Sequence, residues 1–376
     1  MDSSTLQKTA FSPVHYVVWK ALPGGAELSV RHYLDQFSPK RTLHAFSLRP
    51  TENVLYDGSK VNYHSGSPGQ LGCYLAYFRY CRNYRKDIFH LMSVGPIILL
   101  LTLLAGVRKP VYHIHGTIYW KKPRQKWYLK PAWVISSWFG VHFIANSHHS
   151  ANVFRRDVLP LTPEVIYNGF SLEPFLAERR TRTNLKRMGY AGRLQPGKNA
   201  DLVIRLFEEI AGDHPELELH IAGDGALRPA LEEQARKSPF SSRIFFHGWV
   251  EDVAGFYGSI DLFVFLSSYE SFGNVLAEAL LTGLPALTSN IPVFEEIYQG
   301  EKGFQLGLPD NYPELKERFL KAVSKYPQLA QRAFQLSNHL QKTFDIRKHL
   351  TEIEGLYLAI EQNGQKSPTG HPKAAK

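Results

Sequence analysis

The chain has 376 residues, a length that allows two domains, each with a core of its own. Hydrophobic residues make up 44% and charged residues 21%, which is ordinary for a globular protein and excludes the fibrous and wholly disordered classes. The longest apolar run, 94–107, contains Gly95 and Pro96 and is too short to cross a bilayer. The polar start is not typical of a secretory signal, and Cys73 and Cys81 would lie two helical turns apart, so we expect no disulfide and a cytoplasmic location.

The net charge of +10 is unevenly placed along the chain. Residues 1–180 carry 22 Lys and Arg against 10 Asp and Glu, whereas residues 181–376 carry 22 against 24. Five of the six tryptophans also lie in the first half. This pattern indicates either a solvated basic surface or a first half that faces an anionic interface.

The first half alternates short apolar runs with helix-forming segments. The predicted elements are strand Val14–Trp19, a helix after Gly24 and Gly25, strand Thr42–Leu48, a loop or irregular stretch over 51–69, helix Leu71–Tyr84, strand Asp87–Ser93, helix Pro96–Ala105 and a strand ending at His115. Such alternation predicts a doubly wound parallel α/β sheet, whose ligands bind beyond the carboxyl ends of the strands.

Two places in this half are candidate ligand contacts. Gly24 and Gly25 join the first strand to the first helix, where missing side chains let a ligand reach backbone amides, although a Gly-Gly pair also serves as a plain tight turn. His115 lies at a strand end and is either a ligand contact or a structural histidine. His113, two residues earlier on the same strand face, is predicted to belong to the core.

The segment 119–139 carries a run of Lys and Arg, four tryptophans and no acidic residue. Basic side chains interleaved with aromatic ones are typical of an amphipathic helix on an anionic membrane. The same residue types bind nucleic acid through phosphate contacts and base stacking, and an ordinary helix with its tryptophans packed inward is the plain alternative. Because no nucleic-acid-binding module is recognisable, we expect an anionic membrane surface, and no nucleic acid, as the partner of 119–139.

The second half repeats the alternation of strands and helices. KRMGYAGRL (186–194) predicts a strand, and Arg193 and Lys198 flank the turn to the next helix, where two solvent-exposed basic residues would look the same. LELHIAGDG (217–225) predicts a strand and a turn, in which Gly223 and Gly225 let the backbone approach a ligand.

The stretch YESFGNVLAEAL (269–280) follows an apolar strand, 261–268, and predicts a short loop and a helix that starts near Gly273. Glu270 falls in the loop and Glu278 about one turn into the helix, although glutamates eight apart usually lie on a solvated helix face. The free N–H groups at the helix start form a predicted anion site, built from Phe272, Gly273, Asn274 and Val275.

Five motifs in order give this half a recognisable pattern: IYNGF (166–170), GYAGRLQPGKN (189–199), HIAGDG (220–225), FFHGWVED (245–252) and YESFGNVLAEAL (269–280). Together they resemble the donor half of a retaining glycosyltransferase of family 4, over about 14–298 and most strongly after 165. The resemblance implies the α/β GT-B fold, with two Rossmann-like doubly wound domains facing each other across a cleft. The implied parts are an acceptor-side domain 1–170, a linker 171–184, a donor-binding domain 185–345, a helix 346–362 that returns to the first domain, and a disordered tail 363–376.

The resemblance also implies a role for each candidate residue. Arg193 and Lys198 would grip the donor diphosphate, Glu278 would accept hydrogen bonds from the ribose, and Glu270 from the donor sugar. Asn274 and Val275 would offer backbone amides, the loop at Trp249 and Val250 would recognise the base, the loop at Gly24 and Gly25 would face the cleft, and His115 would line it as a positioning group or a general base.

The implied reaction is metal-independent, cofactor-free transfer of a hexosyl-type unit with retention of configuration, and no D-x-D motif supports a metal. The expected donor is a nucleoside diphosphate sugar, UDP-linked, and the expected acceptor a lipid-linked or cell-envelope glycan of lipopolysaccharide, capsule or exopolysaccharide type, at the inner face of the cell membrane. Two alternatives are a non-catalytic, membrane-docked scaffold of the same fold, and a soluble synthase or epimerase that uses nucleotide-sugars. The joint presence of Arg193, Lys198, Glu270 and Glu278 favours the enzyme.

Overall fold

The computed structural model describes residues 11–21, 25–50, 59–92, 94–116 and 130–363, with the side chains of 25–28, 130 and 363 left aside. The chain divides into two compact units. The first unit comprises the described residues of Met1–Asn146, Ser150–Ile166 and His349–Lys376, and the second comprises Ser147–His149 and Tyr167–Lys348. Each unit is built around a sheet of its own.

Within the described residues, the sheet of the first unit has seven strands in the order β3-β2-β1-β4-β5-β6-β7, and its recorded strand pairs are all parallel. The strands are β1 Val14–Val18, β2 Leu43–Ser47, β3 Asn62–Ser65, β4 Ile88–Met92, β5 Lys109–Ile114, β6 His142–Ala145 and β7 Glu164–Val165. Strands β1, β2 and β4 are buried at every position, because helices cover both faces of a parallel sheet.

The sheet of the second unit has six parallel strands in the order β10-β9-β8-β11-β12-β13. The strands are β8 Arg187–Ala191, β9 Glu218–Ala222, β10 Ile244–Gly248, β11 Leu262–Phe265, β12 Ala286–Ser289 and β13 Gln305–Gly307. The central strand β11 is buried throughout, whereas β10 forms an edge and exposes Phe245 and His247.

Helices connect the strands in both units. They are α1 Gly25–Phe37, α2 Gln70–Asn83, α3 Pro96–Leu104, α4 Lys130–Ser137, α5 His148–Asp157, α6 Leu172–Ala177, α7 Ala200–Ala211, α8 Arg228–Lys237, α9 Val253–Ser259, α10 Asn274–Leu281, α11 Pro292–Ile297, α12 Tyr312–Val323, α13 Tyr326–Thr343 and α14 Ile346–Asn363. None of those described combines the length and the apolar character that crossing a membrane requires. Cys73 and Cys81 lie buried on α2 as free thiols.

The predicted parallel α/β organisation is confirmed, and two stretches differ in detail. The stretch 51–69, predicted to lack regular structure, contains strand β3, which pairs with β2; its residues 51–58 lie outside the described part. The prediction missed β3 because an edge strand with the sequence NYHS stays partly exposed and carries no apolar signal. The stretch predicted as a linker, 171–184, contains α6 and belongs to the second unit.

A buried ion pair fixes α14 within the first unit. Arg41 has a side chain that is 1% exposed, and its guanidinium lies 3.3 Å from Glu361 Oε1. The same carboxyl oxygen accepts the backbone N–H of Ser12 at 2.7 Å. A buried guanidinium is costly without a counter-charge, so Glu361 has a structural role that its sequence position does not indicate.

We expect Glu361→Ala to lower the free energy of unfolding of the first unit by about 3 kcal/mol, because it leaves the buried Arg41 unpaired. Glu354→Ala is the matched control on the same helix, since Glu354 forms an exposed pair with Lys40 at 2.9 Å and should cost less than about 1 kcal/mol. Tryptophan fluorescence during denaturation reports mainly on this half of the chain, which holds five of the six tryptophans. Equal losses in both variants would contradict the assignment.

Candidate functional site

Two turns of the second unit pack backbone against backbone at the carboxyl ends of β8 and β9. Gly192 N–H donates to Ala222 O at 3.1 Å, and Leu194 N–H donates to Asp224 O at 2.9 Å. A Cβ atom on Gly223 would lie 1.9 Å from Gly192 O, and one on Gly225 would lie 2.3 Å from Leu194 O. Both positions therefore require glycine, and both have positive φ as well.

This contact decides where Arg193 lies. Arg193 is the middle residue of the turn that packs on Gly223 and Gly225, and its side chain is exposed. Within the described ranges no ion pair or side-chain hydrogen bond occupies its guanidinium, which leaves five N–H donors for a ligand.

The side chains of Lys198 and Glu270 form an ion pair, a contact that the sequence analysis did not predict. The Lys198 ammonium donates to Glu270 Oε1 at 2.5 Å, and the two side chains are 12% and 16% exposed. The ring of Tyr269 lies 5.2 Å from the ammonium and shields it further. A charge-assisted hydrogen bond of this kind is strong because little water competes with it.

Backbone contacts hold the two loops of this pair together. Asn199 adopts a left-handed conformation with φ of 53°. Its side chain donates to Leu266 O at 2.7 Å and to Ser268 Oγ at 2.9 Å, while Ser268 N–H donates to Gly197 O at 2.8 Å. The loop after β8 and the loop after β11 are thus fixed to each other, and Asn199 is a residue that the sequence analysis did not single out.

Helix α10 begins directly after Gly273, which has φ of 99° and provides no side-chain cap. Among the described residues, no acceptor is recorded for the N–H groups of Gly273, Asn274 and Val275. Unpaired amides at a helix N-terminus carry partial positive charge and favour an anion. The predicted helix start at Gly273 is thus present, and the anion site itself stays a prediction.

Phe272 is the residue of the predicted anion site 272–275 whose side chain is packed among other aromatic rings. Its side chain is 2% exposed and lies against the rings of Phe344 and Phe170, with centroids 5.3 and 6.3 Å away. Any contribution of Phe272 to a ligand therefore comes from its backbone, and its side chain belongs to the core.

Asn168 fixes the side chain of Asn274. Its amide donates to Asn274 Oδ1 at 2.8 Å, and Asn168 itself is 5% exposed. Asn168 belongs to the motif IYNGF, and the sequence analysis assigned it no role of its own. No local pattern in the sequence indicates this partner, because Asn274 lies 106 residues away in the chain.

Glu278 lies about one turn into α10, and Tyr257 donates a hydrogen bond to its Oε2 at 3.2 Å. Desolvation raises the pKa of Glu278 to about 7, although the residue keeps part of its surface exposed. Tyr257 is fully buried and was not identified from the sequence. A carboxyl that is near its titration point at neutral pH is typical of functional sites.

Trp249 and Val250 follow strand β10 at the same edge of the sheet. Gly248 O accepts the N–H of Gly223 at 2.6 Å, so the loop at Trp249 starts beside the glycine turn. The Trp249 side chain is 71% exposed, and Val250 is partly buried. An exposed indole offers a flat apolar face on which a planar ring can stack.

His115 belongs to the first unit and follows the carboxyl end of β5. Its ring lies 3.8 Å from that of His113, and burial, followed by the nearby His349, lowers the pKa of His115 to about 3. His113 is fully buried, as expected of a core residue. Gly25 begins α1, and Gly24 lies outside the described residues.

In the part of the chain that the structure describes, no three His, Cys, Asp or Glu side chains are grouped so that they could hold a metal ion.

Residues 174–335 match the family described as Glycosyl transferases group 1. Glycogen synthase from Mycobacterium tuberculosis is 31% identical over 210 residues, which are 54% of this chain and 50% of the relative. The chain thus spans half of that relative's length. A UDP-Gal:alpha-D-GlcNAc-diphosphoundecaprenol alpha-1,3-galactosyltransferase from Escherichia coli is 24% identical over 312 residues, covering 77% of this chain and 79% of the relative.

Solved structures share the fold. Anabaena HepE in complex with UDP and glucose superposes with a TM-score of 0.72 at 20% identity, covering 93% of this chain and all of that chain. WaaG, a glycosyltransferase involved in lipopolysaccharide biosynthesis, superposes with a TM-score of 0.68 at 16% identity. The match covers 95% of this chain and 100% of the WaaG chain. The GT-B fold class is confirmed, and the resemblance to glycosyltransferases is confirmed at the level of group 1. Assignment to family 4 stays a prediction.

We expect Glu278→Gln to stabilise the second unit at pH 8 by about 1–2 kcal/mol, a value reduced for the partial exposure of the carboxyl. Because the folded-state pKa of Glu278 is raised to about 7, ionisation costs stability as the pH rises from about 4.5 through 7. The gain should therefore disappear near pH 4.5. Thermal unfolding at both pH values measures it, with Glu317→Gln, an exposed carboxyl, as the control. A gain that is equal at both pH values would refute the charge argument.

Proposed function

We propose that the protein moves a glycosyl unit from a nucleoside diphosphate sugar to a hydroxyl of a glycan acceptor. The premise is that residues 174–335 match the family described as Glycosyl transferases group 1. One observation carries this proposal. The second unit brings Lys198, the turn at Arg193 and the free amides of α10 to one edge of its sheet, beside Glu270 and Glu278. Cations and amides suit a diphosphate, and carboxylates suit hydroxyls.

The chemical step breaks the anomeric C–O bond of the donor. Positive charge develops on the sugar ring, and the electron pair leaves with the diphosphate. Arg193, Lys198 and the amides at Gly273–Val275 would stabilise that negative charge most strongly as it forms. In this proposal these groups supply the charge neutralisation, so no metal and no other cofactor is required.

The two glutamates take different parts of the donor. Glu278 would accept hydrogen bonds from the ribose hydroxyls, and Glu270 would accept from hydroxyls of the transferred sugar while it holds Lys198. Trp249 and Val250 would contact the base. Gly223 and Gly225 would let the phosphates approach the backbone of the second unit.

Retention of configuration is part of the proposal. The acceptor hydroxyl attacks the face that the diphosphate leaves, the new C–O bond forms there, and the acceptor proton passes to the leaving phosphate. No enzyme nucleophile is needed. A histidine whose pKa is lowered to about 3 is a weak base at neutral pH, so His115 acts by positioning in this scheme rather than as the general base.

The nature of the donor and acceptor is supported by the relatives. The Anabaena structure holds UDP and glucose, and the Escherichia coli relative is named for UDP-Gal and a diphosphoundecaprenol-linked sugar. A lipopolysaccharide core mannosyltransferase from Rhizobium meliloti is 25% identical over 183 residues. We therefore propose a UDP-sugar donor and a lipid-linked or envelope glycan acceptor.

Membrane contact through 119–139 is proposed for the first unit. Of this segment, 119–129 lies outside the described residues; in the rest, Trp133 is buried, whereas Trp138 and Phe139 are 75% and 57% exposed. The neighbouring helix α3 adds Leu104, which is 63% exposed. Exposed aromatic and aliphatic side chains in a basic half suit the inner, anionic face of a cell membrane, with the protein bound peripherally from the cytoplasm.

We expect UDP-glucose, UDP-galactose or GDP-mannose to raise the melting temperature of the wild-type protein, because a ligand of the native state stabilises it. Lys198→Ala and Glu278→Ala should remove this shift and lower transfer by about 100-fold or more. Lys316→Ala is the matched control, since Lys316 forms a pair with Glu209 at 2.6 Å on the surface of the same unit.

Full transfer in both site variants would disprove the site. A donor-dependent shift without any transfer would favour the non-catalytic scaffold, and transfer only to a soluble sugar or glucan would favour the synthase.

For the membrane proposal we expect replacement of Lys121, Lys122, Lys126 and Trp127 by serine to release the protein from anionic vesicles. Cosedimentation with phosphatidylglycerol-containing vesicles measures this at two salt concentrations, because the attraction of basic side chains is screened by salt. Serine at Lys316, Lys321 and Lys325 of the second unit is the control. Unchanged cosedimentation of the first variant would count against the membrane surface.

A further inference from the structure

We propose that Tyr257 is a positioning residue for the donor. Its hydroxyl holds one oxygen of the Glu278 carboxyl, so that the other oxygen is presented to the ribose hydroxyls. This inference rests on the proposed function and assigns a second residue to the recognition of the ribose.

The contact is specific in geometry. Tyr257 lies on α9, is fully buried and donates to Glu278 Oε2 at 3.2 Å. Its ring meets that of Phe263 edge to face at 5.5 Å, which fixes the direction of the hydroxyl. Among the described residues, Glu278 Oε2 is the recorded partner of this hydroxyl, and no partner is recorded for Glu278 Oε1.

The helix that carries Tyr257 is held in place by a buried arginine. Arg182, which is 2% exposed, donates to Tyr257 O at 2.9 Å and to Ile260 O at 2.9 Å. A further N–H of the same guanidinium donates to Thr282 O at 3.0 Å, directly after α10. One rigid, planar group thus joins the carboxyl end of α9 to that of α10, and the distance from Tyr257 to Glu278 is fixed by the backbone.

The chemistry of the Glu278 carboxylate explains how this arrangement would help donor binding. A ribose offers two neighbouring hydroxyls, and each is a better partner for an ionised carboxylate than for a protonated acid, which has lost acceptor capacity. A free carboxyl on a helix surface samples several rotamers, and fixing one oxygen removes most of them before the ligand arrives. Donor binding then costs less ordering of the side chain.

The hydrogen bond from Tyr257 also affects the ionisation of the Glu278 carboxyl. Burial raises the pKa of Glu278 to about 7, and the hydrogen bond from Tyr257 opposes this rise. Within the described chain, Tyr257 is the titratable group recorded as acting on this carboxyl. Removal of the hydroxyl raises the pKa further, so a larger fraction of Glu278 is protonated at neutral pH.

The experiment is calorimetric titration with UDP-glucose between pH 6 and 8, since neither the diphosphate diester nor the uracil ring of this ligand titrates in that range. For the wild type, we expect the dissociation constant to fall as the pH rises to about 7 and to level off above it. For Tyr257→Phe, which keeps the ring and its packing, we expect about tenfold weaker binding at pH 7, with the levelling shifted to higher pH. Transfer assays should show a raised KM for the donor and a nearly unchanged kcat.

Tyr298→Phe is the matched control, because Tyr298 is equally buried in the same unit and its hydroxyl donates to a backbone carbonyl, Ala286 O, at 2.9 Å. It should leave the pH profile of binding unchanged. If Tyr257→Phe binds UDP-glucose with the wild-type affinity and pH profile, or if both tyrosine variants lose affinity equally, the role of Tyr257 is refuted while the proposed function stands. If the wild type binds neither UDP-glucose nor GDP-mannose, the proposed function fails and this inference fails with it.

Discussion

The site of the second unit depends on the approach of the turn 192–194 to the turn 223–225. The carbonyl groups of Gly192 and Leu194 occupy the space that side chains at Gly223 and Gly225 would need. Two neighbouring strands can therefore end at the same depth, with Ala191 beside Ala222. A single methyl group at either glycine would separate the turns and displace Arg193. The constraint is steric, and flexible side chains cannot absorb it, because the opposing atoms are backbone atoms.

The two cations beside these turns, Lys198 and Arg193, differ in their burial and in their partners. The ammonium of Lys198 is nearly buried, and its pairing with Glu270 offsets the loss of hydration that an isolated cation would suffer there. An ammonium group has three N–H donors, so it can keep Glu270 and still donate to a phosphate oxygen. Arg193 is exposed and carries no such partner among the described residues, so its charge acts on a ligand directly. The two cations differ in mobility: one is held in place, and the other can follow the ligand.

The sequence predicts the parts of this arrangement that depend on local pattern. Alternating apolar runs and helix formers were sufficient for the parallel sheets, and Gly273 was sufficient for the start of α10. Strand β3 was missed because an exposed edge needs no apolar residues. Tyr257 and Asn168 were missed because their partners, Glu278 and Asn274, lie 21 and 106 residues away in the chain. Such pairs become visible only when the fold brings two helices or a loop and a helix together.

Among the described residues of the first unit, lysine and arginine carry most of the positive charge near neutral pH. Burial lowers the pKa of eight of its histidines, namely His15, His32, His44, His64, His90, His113, His115 and His142. A lowered pKa favours the neutral form of these rings at neutral pH, whereas Lys and Arg remain charged. The positive charge of this half consequently depends less on pH near neutrality than its number of histidines suggests. In the unfolded chain the same histidines take up protons near pH 6.5, so acid weakens the fold of this unit before it changes the charge of its folded surface.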